Sequence, residues 1–261
     1  SISEESPLLS ASLPNGERIQ IVRPPAAPNG HCFSIRKKTL LRMSLDDYEE
    51  RGAFSATKTH NSGALTPEVE ELRELHAKGD LKQFLSKAVT AEQNIIISGG
   101  TSTGKTTFLN ALLLEIPEDT RLITIEDTRE VEITQANHLN LVAAKDAQGK
   151  ARVTIQQLLE ACLRLRPDRL IMGELRGAEA FTFLRASQSG HPGSITTVHA
   201  DTPEGAIDQL SLMVLQANLG MTREDIKTYV ESMVDIIIQL ERNKEGVRVV
   251  SDVKFKHEKP L

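Results

Sequence analysis

The segment GGTSTGKTT at residues 99–107 constrains the fold of this chain more than any other feature. It fits the pattern Gly-x4-Gly-Lys-Thr of a phosphate-binding loop. The apolar run at 95–97 predicts a buried strand that enters the loop, and the segment 106–116 predicts a helix that Pro117 ends. A strand, a glycine-rich loop and a helix N-terminus together cradle phosphate with backbone N–H groups and a helix dipole. The segment therefore predicts a nucleotide-binding domain.

The loop also predicts which residues hold the nucleotide. Lys105 is expected to reach the β- and γ-phosphates, and the hydroxyl of Thr106 is expected to ligate Mg²⁺. The full set of residues that we expect around the phosphates is Gly99, Gly100, Thr101, Ser102, Thr103, Gly104, Lys105, Thr106 and Thr107.

Composition excludes several classes of function. The chain has a net charge of −5, only 3% aromatic residues and no tryptophan, which argues against electrostatic or stacking recognition of nucleic acid. Cys32 and Cys162 are too few and too far apart to predict a metal site or a disulfide framework. The apolar stretches are shorter than a membrane span and no signal peptide is visible. We therefore expect a cytosolic protein that meets a membrane only through partners.

The first part of the chain, residues 1–54, predicts a small β-rich domain. The pattern indicates a hairpin of strands at 8–13 and 17–22, a third strand at 32–35 and a helix that Ser44 caps. A sheet this small is marginal by itself, so we expect the domain to be part of a longer N-terminal domain.

The polar segment 55–65 predicts a linker, and residues 66–261 predict an α/β domain. Two short helices capped by Thr66 and Asp80 come first, and strands and helices then alternate, as in a mostly parallel sheet. The predicted strands are 94–98, 121–126, 138–142, 169–173 and 194–198, with a final hairpin of 236–240 and 247–253. The predicted helices are 106–116, 154–165, 178–188, 203–218 and 223–233.

Polar residues with catalytic potential follow three of the predicted strands. Ligands of such sheets bind at the carboxyl ends of the strands, so these residues are expected to meet. Glu126 and Asp127 end one strand and can hold Mg²⁺ or orient a water molecule. Glu174 ends the second strand and directly follows Gly173, which stands where a Walker B element usually has an aspartate. His199 ends the third and can hydrogen-bond to the γ-phosphate.

Phosphoryl transfer also needs cations that offset negative charge in the transition state. The candidates are Arg36, Arg129, Arg164, Arg166 and Arg176. Arg164 and Arg166 lie at a predicted helix end, where they could cap carbonyl groups and nothing more.

Four segments in this order carry a family resemblance: GGTSTGKTT, ITIEDTREV, CLRLRPDRLIMGELRG and SGHPGSITTVHADTPEGA. The chain resembles the type IV secretion traffic ATPases, which are related to type II secretion and pilus retraction ATPases. The resemblance implies a RecA-like P-loop domain preceded by a smaller, truncated, β-rich α+β domain. It also implies Mg²⁺-dependent ATP hydrolysis by a homo-hexameric ring that powers pilus assembly or substrate export. Such a ring is cytoplasmic and peripheral at the bacterial inner membrane, and works with other secretion ATPases and inner-membrane channel subunits.

The resemblance also assigns roles by position. Residues 99–107 correspond to the Walker A loop, Glu126 and Asp127 to the Asp box, Glu174 to the Walker B acid and His199 to the His box. Thr106 and Glu174 are the implied metal ligands. Arg36 matches an arginine by which the N-terminal domain closes over the nucleotide phosphates, while Arg129 and Arg176 remain candidate catalytic cations.

Two other functions stay open at this point. A RecA-like nucleic-acid translocase would use the same loop, although the acidic balance and the lack of aromatic residues count against it. A nucleotide-gated assembly scaffold would bind ATP without productive hydrolysis, whereas Glu126, Glu174 and His199 favour hydrolysis.

Overall fold

The computed structural model describes residues 2–37, 43–57, 65–143 and 152–259. Over these residues the chain forms ten strands and eight helices. The strands are β1 (Leu8–Ser12), β2 (Arg18–Val22), β3 (Cys32–Arg36), β4 (Ile95–Gly99), β5 (Leu122–Glu126), β6 (His138–Val142), β7 (Arg169–Met172), β8 (Ile195–Val198), β9 (Ile236–Arg242) and β10 (Arg248–Phe255). The helices are α1 (Leu45–Glu50), α2 (Pro67–Lys78), α3 (Leu81–Thr90), α4 (Lys105–Leu113), α5 (Ile155–Cys162), α6 (Glu179–Gln188), α7 (Pro203–Leu215) and α8 (Arg223–Met233).

The strands form two sheets. The larger has seven strands in the order β10-β9-β4-β8-β7-β5-β6, and every neighbouring pair is parallel except β9 and β10. The smaller is an antiparallel sheet in the order β1-β2-β3. The predicted α/β class with a mostly parallel sheet and a small β-rich N-terminal part is confirmed.

The larger sheet is buried on both faces, as a parallel sheet covered by helices must be. Successive residues of β4 alternate between the faces: Ile95 and Ile97 pack in one core cluster, and Ile96 packs in the other. Phe84 of α3 and Leu109 of α4 belong to the first cluster. Helices α5 to α8 pack against the second, which includes the fully buried Cys162 of α5. This core holds the carboxyl ends of the parallel strands at one edge of the sheet.

Local sequence signals explain where several helices begin. Thr154 and Thr222 form capping boxes at the starts of α5 and α8, and each side chain accepts a backbone N–H three residues on. Thr66 caps α2, whose first residue is proline, and Gly79 ends that helix in the left-handed conformation. Where bounds differ from prediction, the helices are shorter: α5 ends at Cys162 and α7 at Leu215.

The N-terminal segment packs directly on the edge strand β6. Val22, Ala26 and Ala27 are buried in the same core cluster as Leu141. The backbone N–H of Val142 donates to the carbonyl oxygen of Ala26 at 2.8 Å, which satisfies part of an otherwise open sheet edge. The proposed domain limits at residues 54 and 66 stay predictions. Most of the predicted linker 55–65 lies outside the described residues, and so does most of the segment 143–152, whose sequence AAKDAQGKAR resembles a variable surface loop.

Candidate active site

The 99–107 loop connects β4 to α4 in a conformation that its glycines permit. Gly104 precedes the helix with φ of +91°, in the left-handed region that favours glycine. A β-carbon at Gly99 would lie 2.6 Å from Oγ1 of Thr103 and 2.7 Å from the carbonyl oxygen of Leu240, so only glycine fits there. The hydroxyl of Thr103 donates to the carbonyl oxygen of Gly100 at 2.9 Å and closes the loop.

Lys105 lies across the loop. Its Nζ donates to the carbonyl oxygens of Gly99 at 2.8 Å and Gly100 at 3.1 Å, and it lies 3.5 Å from Nδ1 of His199. Burial lowers the pKa of this ammonium group, and the nearby Glu174 carboxylate partly offsets that effect. The ammonium group is therefore positioned beside the phosphate cradle and held only by groups that a phosphate can replace.

Glu126 ends β5 and is only 3% exposed. Its Oε1 accepts the backbone N–H groups of Glu130 at 2.8 Å and Val131 at 2.9 Å, whereas its buried Oε2 has no hydrogen-bond partner among the described residues. Burial is the main cause that raises the pKa of this carboxyl, and the two N–H groups oppose it. One oxygen is thus fixed by the backbone and the other is left for a ligand.

Gly173 explains why the usual aspartate is missing after β7. A β-carbon at this position would lie 3.2 Å from Cγ of Glu126. A larger side chain at Gly173 would therefore push Glu126 out of its position. The acidic residue that follows β7 is therefore Glu174, one position after Gly173.

Glu174, Arg176 and Asp127 form one ionic network. Nε of Arg176 donates to Oε2 of Glu174 at 2.8 Å, and Nη1 of Arg176 donates to Oδ2 of Asp127 at 2.8 Å. The bond to Glu174 is the main cause that raises the pKa of the Arg176 guanidinium. The structure thus brings residues from the ends of β5 and β7 together in one network.

His199 joins this network to the loop. Its Nε2 lies 2.8 Å from Oε1 of Glu174, and its Nδ1 faces Nζ of Lys105. A proton on Nε2 satisfies both contacts, because Nδ1 can then accept from the lysine. The histidine therefore connects the acid after β7 with the lysine of the loop.

The hydroxyl of Thr106 donates to Oε2 of Glu130 at 3.2 Å. Hydroxyl and carboxylate oxygens are the hard ligands that Mg²⁺ prefers, together with phosphate oxygens of a nucleotide. Among the described residues no three His, Cys, Asp or Glu side chains form a ready metal cluster. Thr106 and Glu130 therefore supply oxygen donors of the kind that Mg²⁺ takes, and the Glu174 carboxylate lines the same cleft.

Four of the five candidate arginines do not line the cleft around the loop. Nη1 of Arg129 donates to Oδ1 of Asn29, in the N-terminal segment, at 3.1 Å. Arg36 lines a second cleft, of about 920 Å³, which it shares with Arg164 and Arg166. Nη1 of Arg164 also donates to the carbonyl oxygen of Glu160, so it caps its helix as one interpretation predicted. The roles of Arg36 and Arg129 at the phosphates stay predictions.

The structure adds residues that sequence reasoning missed. Arg242 ends β9 and Arg248 begins β10, and both line the cleft around the loop. Glu130 lines it too, beside Thr106. Arg242 follows a predicted strand, so the rule that functional residues follow strand ends could have predicted it. Arg248 lies at the beginning of a predicted strand, where this rule predicts nothing.

The cleft around the loop has a volume of about 530 Å³. It brings together the ends of β4, β5, β7, β8 and β9. The predicted site residues that line it are Thr101, Ser102, Thr103, Gly104, Lys105, Thr106, Thr107, Glu126, Asp127, Glu174, Arg176 and His199.

Comparison with known proteins identifies similar chains. Residues 57–257 match the family described as type II/IV secretion system protein. The type IV secretion system protein VirB11 of Bartonella henselae is 44% identical, over 97% of this chain and 75% of its own length. PtlH, a type IV secretion system protein of Bordetella pertussis, is 40% identical over 95% of this chain and 74% of its own. The crystal structure of the VirB11 ATPase from the Brucella suis type IV secretion system, in complex with sulphate, has a TM-score of 0.91 at 40% identity, covering 98% of this chain and 78% of that chain.

Proposed function

Because this chain belongs to the type II/IV secretion system protein family, we propose that the cleft around residues 99–107 is where it hydrolyses ATP. The chain is an ATP-hydrolysing motor of type IV secretion, as its VirB11 and PtlH relatives indicate. The observation that supports hydrolysis in this cleft is the buried carboxylate of Glu126. One of its oxygens is fixed by backbone N–H groups, and the other has no hydrogen-bond partner in the part of the chain that the structure describes.

In the proposed reaction the loop binds the phosphate chain through its backbone N–H groups and the N-terminus of α4. Lys105 exchanges its bonds to the carbonyl oxygens of Gly99 and Gly100 for bonds to the β- and γ-phosphates. The exchange costs little free energy, because the ammonium group loses two carbonyl oxygens of the loop as acceptors and gains phosphate oxygens in their place.

Glu126 acts on the attacking water. Its Oε2 accepts a proton as the water oxygen bonds to the γ-phosphorus and the bond to the β–γ bridging oxygen breaks. The raised pKa of this carboxyl suits it as a base. A carboxylate whose pKa lies closer to neutral pH accepts a proton more readily than an ordinary glutamate does.

Arg176 and His199 respond to the charge that develops on the phosphate. Arg176 offsets it from a position that Asp127 and Glu174 define. His199 contacts both Glu174 and Lys105, so loss of the γ-phosphate changes its two partners together. Thr106 and Glu174 would hold Mg²⁺, with Glu130 beside them, and the bound ion would neutralise part of the phosphate charge.

We also propose the assembly that the resemblance implies. The chain forms a homo-hexameric ring at the cytoplasmic face of the bacterial inner membrane, together with other secretion ATPases and channel subunits. No helix in the described ranges is long and apolar enough to cross a membrane.

Because Arg36 lines a cleft apart from the loop of its own chain, its proposed phosphate contact is with the nucleotide of a neighbouring copy. Light scattering with size exclusion, with and without Mg²⁺ and a non-hydrolysable ATP analogue, tests the ring, and a monomer in every condition would contradict it.

Phosphate release at saturating ATP tests the proposed site. We expect Lys105→Ala to abolish Mg²⁺-dependent release and to leave the unfolding temperature unchanged, because Lys105 contacts loop carbonyls rather than the core. Lys82→Ala is the matched control, since Lys82 is an exposed lysine of α3 outside the cleft. Chelation of Mg²⁺ by EDTA should stop the wild-type reaction. Wild-type turnover by the Lys105 variant would refute the assignment.

A further inference from the structure

The hairpin of β9 and β10 brings two arginines to the nucleotide cleft. Arg242 and Arg248 are directly opposite each other in the antiparallel register, at the turn end of the hairpin. β9 runs parallel to β4, so its carboxyl end lies at the same edge of the sheet as the loop. Both side chains line the cleft. A part of the chain outside all four family motifs therefore contributes positive charge to the site.

Arg242 connects the hairpin to the loop. Its Nε donates to the carbonyl oxygen of Ser102 at 3.1 Å. Ser102 has φ of +63°, so this bond supports a loop residue in the left-handed conformation. The bond holds the turn end of the hairpin, and hence Arg248, against the loop.

Arg248 lies over Gly104, immediately before α4. A β-carbon at Gly104 would be 2.9 Å from Cδ of Arg248, 3.4 Å from its Nε and 3.6 Å from its Nη1. The guanidinium therefore lies beside the backbone that cradles phosphate, and glycine at position 104 leaves room for it as well as permitting the turn.

The charge of Arg248 is not compensated in the way that the charge of Arg176 is. Arg176 has Glu174 and Asp127 as ionic partners. Over the ranges that the structure describes, the side chain of Arg248 makes no hydrogen bond or ion pair, although its backbone pairs with β9. A guanidinium with five N–H donors, next to a helix N-terminus, creates a local positive potential that suits an anion.

We propose that Arg248 binds the phosphate chain of the nucleotide, with Arg242 as the residue that positions it. This inference rests on the proposed function, because it assigns a further binding residue to the same cleft. Arg248 contacts the phosphates from the β10 side, while Lys105 contacts them from the side of His199.

Calorimetric titration with ADP and Mg²⁺ tests the proposal. Arg248→Met keeps most of the aliphatic stem that packs on Gly104 and removes the charge, and Arg248→Gln keeps a polar group. We expect each variant to bind ADP about tenfold more weakly than wild type, as loss of one charge-assisted hydrogen bond predicts. Arg223→Met, at the exposed start of α8, is the matched control and should bind within about twofold.

Salt dependence identifies which part of the nucleotide Arg248 contacts. An ionic contact with phosphate weakens as salt screens it, so the difference between wild type and Arg248→Met should shrink between about 50 and 300 mM KCl. A difference that stays constant would overturn the phosphate assignment, because stacking on the base is not screened. Unfolding temperatures without nucleotide should agree within about 2 °C, since the guanidinium has no partner in the described chain.

The outcomes separate this inference from the proposed function. Wild-type affinity in Arg248→Met, with wild-type protein binding ADP normally, would overturn the inference alone. Weaker binding accompanied by an equal loss of stability without nucleotide would also overturn it, because Arg248 would then only support the loop. Failure of the wild-type chain to bind ADP would overturn both.

Discussion

Replacement of Glu126 by glutamine should separate catalysis from structure at this site. Glutamine keeps the shape of the side chain and an oxygen for the N–H groups of Glu130 and Val131. It removes the carboxylate that accepts a proton. We therefore expect Glu126→Gln to fold and bind ATP like wild type but to lose turnover.

The magnitude follows from the role of the group. A positioned general base contributes about 10²- to 10⁴-fold to the rate, or roughly 3–5 kcal/mol of barrier. We expect turnover to fall by that factor and the ATP affinity to change by less than about twofold, because the substitution leaves the phosphate-binding loop unchanged.

Glu126→Ala supplies the structural contrast. It leaves the buried N–H group of Val131 and the partly buried N–H group of Glu130 without an acceptor. Each unpaired group costs about 1–3 kcal/mol of folding free energy before water replaces the lost hydrogen bond. A net loss of about 2 kcal/mol would lower the unfolding temperature by roughly 4–8 °C for a chain of this size. Phosphate release, ADP titration and thermal unfolding of both variants are the measurements.

The pH dependence gives an independent test. A base must be ionised to act, so turnover should fall as pH drops through the pKa of Glu126, which burial raises above the ordinary glutamate range. Because the folded-state pKa is raised, the ionised carboxylate lowers stability as pH rises from the ordinary pKa through the folded one. Glu126→Gln should lose both effects. A variant that keeps a third or more of wild-type turnover, with the same acidic limb, would refute the reasoning.

Two further predictions concern the loop and the histidine. Gly99→Ala places a β-carbon 2.6 Å from Oγ1 of Thr103 and should cost about 2 kcal/mol of folding free energy. Gly100→Ala places its β-carbon 3.8 Å from Oδ1 of Asp201, an ordinary contact, and should unfold at nearly the wild-type temperature. Thermal denaturation of the two variants compares them, and equal melting would contradict the packing argument. His199→Ala should lower turnover about tenfold and change ADP affinity by less than about twofold, because the side chain contacts Glu174 and Lys105 rather than the loop backbone. An affinity loss as large as the turnover loss, measured by calorimetry and phosphate release, would show that His199 serves nucleotide binding instead.

Much of the site could be predicted because it depends only on local sequence patterns and on one rule of sheet topology. The buried strands are recognisable as apolar runs, and parallel strands end at a common edge. Glu126 ends β5, Glu174 lies two residues after β7 and His199 follows β8 directly, so their position at one edge of the sheet was predictable without the fold. Their individual contacts were not, because a contact depends on side-chain direction and on which strands are neighbours.

The arginines show the limit most clearly. Arg129 lies three residues after Glu126, yet its guanidinium contacts Asn29, because the chain turns after β5 and the N-terminal segment packs beside it. Arg248 is 144 positions from Gly104, but the register of β10 on β9 brings it over that glycine. Sequence position indicates neither the direction of a side chain after a turn nor the partner across a hairpin.

The amino-acid sequence alone determined the fold class, the phosphate loop and the acids at the strand ends, because periodicity, glycine spacing and strand termini are local properties. Only the tertiary structure decided that Gly173 leaves space for Glu126, that Arg176 joins Asp127 to Glu174, and that the hairpin reaches the loop. Those features arise from distances between segments far apart in the chain, which the packing of the sheet and helices sets.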